Sequence, residues 1–241
     1  MDLGGIFVGS PTACVTEFFV RDFSNFKWYM IPFLLIIIYM ISKEIRKQNW
    51  SALLAALAFW LMDLFNEIWN ALIYHFTNFA PFWSTPPTIL SPGNYVPNSS
   101  LIILIGLNIE ICFMFLIMGL VSTKMFKGTI QEEFRIEDPV EQREYRRKRI
   151  KNRLIVIFSM ASLCVIVEIF LNLIGILVWE WEFLWSIKNP VLIYLIGYLP
   201  FWGISAVIYD MRKRWMQILT VSSMFVVIIT CMVVFILLGW I

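Results

Sequence analysis

The chain has 241 residues, of which 60% are hydrophobic and only 15% are charged. Water-soluble domains average about 45–50% apolar and about 25% charged, so the composition argues against a soluble protein. It predicts an integral membrane protein, an all-α polytopic helix bundle forming a single domain over residues 1–241. The formal net charge of +2 decides little; its distribution along the chain decides more.

Met1–Gly5 carries no basic residue, so no cleaved leader is expected. Residues 6–20 are apolar but too short to span, and Pro11 interrupts them, which predicts an interfacial or re-entrant piece. About six transmembrane helices follow, at 27–43, 50–78, 99–124, 152–179, 190–210 and 214–240. Each is near the roughly 20 residues needed to cross the hydrocarbon core. Of the 19 Lys and Arg residues, 16 fall within 43–49, 124–153 and 212–214. The positive-inside rule places those loops in the cytoplasm and both termini outside.

The outer loops differ in composition. Residues 80–98 are rich in Pro, Ser and Thr, and 179–189 carry Trp179, Trp181 and Trp185. Those tryptophans suit either interfacial anchoring or a lid over a cavity. In the basic cytoplasmic loop 125–151, Asp138, Pro139 and Glu141 form a capping-box pattern. The REYRRKRIKNR run after it extends the fourth helix into the cytosol, with a basic face suited to anionic lipid headgroups. Nucleic acid is not an expected partner, because no aromatic interleaving accompanies the run.

Polar residues interrupt three spans. Asp63, Asn66, Glu67 and Asn70 are spaced i, i+3, i+4, i+7 and form one stripe of the second helix. Asn108 and Glu110 interrupt the third span; Glu168 and Asn172, at i and i+4, share a face of the fourth. At about 1.5 Å per residue, Glu67, Glu110 and Glu168 all fall roughly 12–15 Å below the outer surface, with Asp63 one turn deeper. Ionisable residues within spans are costly and usually mark a function. No intramembrane Lys or Arg is available as a partner. The carboxylates therefore carry protons, hold a cation or face water.

The single His75 excludes histidine-box, bis-histidine haem and HExxH chemistry, and reads as an interfacial side chain. Cys14, Cys112, Cys164 and Cys231 show no metal spacing. There is no GxSxG, Walker or dinucleotide-binding fingerprint. No metal or organic cofactor is expected.

NEIWNALIY in the second helix and LNIEI in the third resemble the corresponding helices of the small integral-membrane terpene cyclases of fungal meroterpenoid pathways. The resemblance covers about 40 of the 241 residues. It implies a helical bundle that cyclises a prenyl chain by protonating an epoxide or alkene without a metal, with Glu67 as the acid.

Three functions stay open. The first is a metal-independent acid–base enzyme working in an outward-opening cavity. Its substrate is a membrane lipid or prenylated small molecule. Glu67, Glu110, Glu168 and Asp63 supply the acid–base groups. Asn66, Asn70, Asn108 and Asn172 orient them, and Trp69, Trp179 and Trp202 contact the substrate. The second is a cation- or proton-coupled transporter using the same carboxylates, for which so small a bundle would need a homodimer. The third is an accessory subunit whose polar network only sets packing.

Overall fold

The computed structural model describes residues 11–91, 94–181 and 183–241. The leader reading and residues 6–10 of the interfacial piece lie outside the described residues. The helices are α1 (Pro11–Glu17), α2 (Met30–Arg46), α3 (Trp50–Thr77), α4 (Ile109–Met125), α5 (Ile130–Glu133), α6 (Pro139–Leu173), α7 (Leu199–Tyr209) and α8 (Arg214–Leu237). A π-helical turn, Ile193–Tyr198, runs straight into α7. Four short strands, β1 (Trp83–Ser84), β2 (Thr88–Ser91), β3 (Asn94–Val96) and β4 (Val178–Trp179), form the antiparallel pairs β1–β4 and β2–β3.

Among the described residues, four helical segments are long and apolar enough to cross a membrane. With α2 and the π turn plus α7, six helices stand where six spans are expected. Exposed Ile155, Phe158, Ile166, Leu219, Val226 and Val227 form the apolar outer surface of α6 and α8, as lipid-facing helices require.

The centre of the bundle is α3, which packs on α2, α4, α7 and α8. Its first half is lined with buried Ala52, Ala55, Ala56 and Ala58. Small residues let helices approach closely. A Cβ at Gly119 of α4 would lie 2.7 Å from the Ala56 carbonyl oxygen.

Two expected boundaries move and one span changes helical register, each for a local reason. The third helix begins at Ile109 and not at 99, because Asn108 caps it by accepting from the Ile111 amide at 2.8 Å. Residues 99–108 before it form an irregular loop. The fourth helix ends at Leu173 and not at 179. Gly175 adopts φ +75°, while the amides of Gly175 and Ile176 bond the carbonyls of Asn172 and Leu171. That is a Schellman stop, which favours glycine at the left-handed position. In the fifth span, Pro200 lacks an amide hydrogen, and the helix just before it runs in π register, the Leu199 amide bonding the Tyr194 carbonyl. At the start of α6, Asp138 accepts from the Val140 amide, and the reciprocal capping box forms instead between Thr129 and Glu132 of α5.

The basic loops gather at one end. Lys124 pairs with Glu44 at 3.6 Å, and Ser51 donates to Gln217 at 3.2 Å. Glu133 accepts from Arg146 at 2.6 Å and Arg149 at 2.9 Å. Arg149 and Arg153 both pair with Asp210 at the end of α7, and Arg153 also lies over the Phe126 ring at 4.6 Å.

Burial opposes charge on Glu133, but the Arg146 and Arg149 guanidiniums outweigh it and hold its carboxyl below the ordinary value of 4.5. A carboxyl depressed in the folded state adds stability that is complete above the unfolded value and is lost as pH falls through the folded one. Thermal stability is therefore expected to be level from neutral pH to near 5 and to fall below about 4.5. Glu133→Gln should remove part of that acid limb, which melting curves across pH will read.

Candidate functional site

The polar stripe of α3 faces one cavity of about 90 Å³, room for about three water molecules. Asp63, Asn66 and Glu67 line it from α3, Glu168 from α6, Ile111, Met114 and Phe115 from α4, and Gly197, Tyr198 and Phe201 from the π turn and α7. Asp63, Glu67 and Glu168 are only 2%, 3% and 8% exposed. No Lys or Arg lines the cavity. Asp63 Oδ2 and Glu67 Oε2 are buried with no hydrogen-bond partner among the described residues.

The two strands nearest the cavity aim its acids. In the β1–β4 pair, Trp83 stands opposite Trp179. Trp83 Nε1 donates to Glu67 Oε1 at 2.9 Å, and Trp179 Nε1 donates to Glu168 Oε1 at 3.2 Å. One cross-strand tryptophan pair thus holds one carboxylate on each of two helices. Asn70 fixes the register by donating to the Trp83 carbonyl at 2.9 Å and accepting from the Phe82 amide at 2.8 Å. Asn66 donates to the Gly197 carbonyl at 3.2 Å and accepts from Trp69 Nε1 at 3.0 Å. The π turn is thereby tied to α3 beside the acids, a position where such turns often serve function.

The cavity does not open outward as expected. Trp185, Trp83 and Trp69 roof it, with ring centroids 5.1–6.0 Å apart, and Trp185 is buried. Of the two readings of the 179–189 tryptophans, the geometry matches the lid for Trp179 and Trp185, while Trp181 donates to the Ala80 carbonyl. Backbone at Gly106 also presses on the site: a Cβ there would lie 2.6 Å from both Glu67 Oε2 and Trp83 Nε1. Toward the cytoplasmic end, Phe59, Phe115, Phe201 and Trp202 close the bundle with centroids 5.0–6.1 Å apart.

The remaining expected site residues lie elsewhere. Glu110 is in the first turn of α4, outside the cavity, where Oε1 accepts from the Tyr29 hydroxyl and from the Ser100 amide at 2.6 Å. The depth comparison fails for it because the helix begins one residue earlier, at Ile109, and not about ten. Asn108 serves as that helix's cap. Asn172 donates to the Leu177 carbonyl at 3.2 Å and braces the turn after α6. Trp202 belongs to the aromatic floor. His75 stacks on Trp240 at 6.1 Å, away from the cavity.

Trp83, Tyr198 and Phe115 escaped the sequence reading. They sit in a loop or in apolar runs with no periodic signal. Trp83 follows a Phe in a proline-rich loop, and only its pairing partner reveals its direction.

A sequence model described as "Uncharacterized membrane protein family" matches residues 11–237. A protein of Archaeoglobus fulgidus, described as an uncharacterized protein, is 43% identical over 203 residues, covering 83% of this chain and 85% of its own length. No solved structure matches.

Proposed function

The chain belongs to this membrane protein family, and on that premise we propose that it is a metal-independent acid–base enzyme acting on a lipid-soluble, isoprenoid substrate. The observation that carries the reading is a set of three buried carboxylates without a basic partner, two of them aimed by a tryptophan pair, in an aromatic-walled cavity. A carboxyl kept from water and from cations holds its proton and is a strong general acid. Aromatic faces stabilise a developing cation; here these are Trp83, Phe115, Tyr198 and Phe201.

In the reaction implied by the terpene cyclase resemblance, the Glu67 carboxyl gives its proton to a prenyl alkene carbon or epoxide oxygen. The resulting cation is attacked by a second alkene of the same chain, forming a carbon–carbon bond. A neighbouring carbon then loses a proton to the Glu67 carboxylate left by the first step, so that the acid is restored and substrate and product are isomers. The aromatic floor disfavours the transport alternative, because it leaves no polar path to the cytoplasmic end. On α6, exposed Arg143, Arg147 and Lys151 stand at i, i+4 and i+8, which supports contact with anionic headgroups.

Native mass spectrometry with lipid extraction, wild type beside Glu67→Gln, tests the reading. A prenyl lipid or its cyclised product is expected with the wild type and altered in the variant. Ion-dependent thermal stabilisation lost in Glu67→Gln would establish cation binding instead. Identical behaviour of the two proteins would leave the carboxylates as a structural network.

A further inference from the structure

Helix α6 supplies Glu168 to a cavity whose other acids come from α3, yet its main backbone packing is not against α3 or α4. Its packing partners are α7, the π turn and α5. Its two ends are tied separately, by the β1–β4 pair at one and by the Arg149 and Arg153 bonds to Asp210 at the other. Between those ties, the cavity lies in a cleft lined by Met114 and Phe115 of α4, Glu168 and Leu171 of α6 and Phe201 of α7, and α7 packs on both α4 and α6.

The lining of the cavity continues into this cleft. Met114 of α4 and Leu171 of α6 both border the cavity, and Met114 is 42% exposed on the outer surface of the bundle. Next to Leu171, Val167 and Phe170 are also exposed. Every one of these side chains is apolar, and the cleft lies at membrane depth, where uncharged chains surround the protein. The roof of tryptophans and the aromatic floor close the two polar ends. The lateral cleft is thus the route with neither an aromatic barrier nor a charge along it.

We infer that the acid cavity is reached sideways from the bilayer, through the cleft between α4 and α6 past Met114 and Leu171, and that its occupant is the hydrocarbon chain of a membrane lipid. At about 90 Å³, the cavity takes only a terminal segment of such a chain, and the rest lies in the cleft. A headgroup would have to leave water and cross an apolar mouth, which polar groups resist. The inference deepens the acid–base reading and rests on it for the chemistry, although the route itself is tested separately. Met114 is the side chain that sets the width of the opening, and its unbranched thioether adapts to different occupants.

The test places a nitroxide on Met114→Cys, with the four native cysteines replaced by alanine, in phosphatidylcholine vesicles. Collisional relaxation by dissolved oxygen reports exposure to lipid, and relaxation by a water-soluble nickel chelate reports exposure to water. Strong oxygen relaxation with exclusion of the chelate is expected. Access of the chelate, or protection from both, would overturn the lateral route. In parallel, Met114→Trp should lose the co-purifying chain while keeping the wild-type melting temperature; full retention of the chain would also overturn it. If the nitroxide faces lipid and Met114→Trp loses a bound chain that Glu67→Gln leaves chemically unchanged, the route stands and the acid chemistry fails.

Discussion

Asp210→Ala is expected to lower stability by about 3 kcal/mol, the low end of what breaking a buried ion pair costs. Asp210 is the shared anion of Arg149 and Arg153, whose side chains are only 8% and 5% exposed. Arg149 keeps Glu133 after the substitution. Arg153 keeps the carbonyls of Lys127 and Gly128, the Asn152 amide oxygen and the Phe126 and Tyr209 rings, none of them anionic, so its charge stays buried without a counter-charge. The consequence reaches the cavity, because this cluster ties α6 to α7 at the cytoplasmic end and Glu168 rides on α6. Intrinsic fluorescence of the 11 tryptophans during heating reads the loss directly. An unchanged melting temperature would show that the cluster does not hold α6.

Gly106→Ala is expected to cost about 1–3 kcal/mol, the usual penalty for overfilling a close-packed site, and to disturb the acid as well. The new methyl group would meet Glu67 Oε2 and Trp83 Nε1, each 2.6 Å away. Neither yields easily. Trp83 is held by its strand partner and by Asn70, and Glu67 is held by Trp83. The Trp83–Glu67 hydrogen bond should therefore break, removing the donor that orients the carboxylate. A double-mutant cycle separates the two effects. In the Gly106→Ala, Glu67→Ala pair, removing the carboxylate makes room for the methyl, so the combined loss should be smaller than the sum of the single losses. Strict additivity would mean that residue 106 does not press on Glu67.

Membrane class, helical architecture and the gathering of basic loops at one end were all legible in the sequence. These properties depend on composition and on the cost of placing charge in hydrocarbon, both of which are local. The α3 stripe of Asp63, Asn66 and Glu67 was legible too, since helical periodicity alone puts those residues on one face. Local chemistry also contained the true helix ends: Asn108 is a cap residue and Gly175 a stop residue. Their signals were outweighed by the continuous apolar runs around them, because hydropathy counts side chains and not backbone hydrogen bonds.

Only the tertiary structure decided which acids meet. Glu168 joins the α3 stripe because the β1–β4 pair brings together Trp83 and Trp179, 96 positions apart in the chain. Glu110 is left out because its helix starts just before it and its carboxylate is held by the Tyr29 hydroxyl and the Ser100 amide. The same pairing decided that the cavity is covered on its outer side, leaving the cleft between α4 and α6 as its apolar flank. Such outcomes depend on contacts between distant segments and on the rotation of each helix about its axis, and no local pattern of residues sets either one.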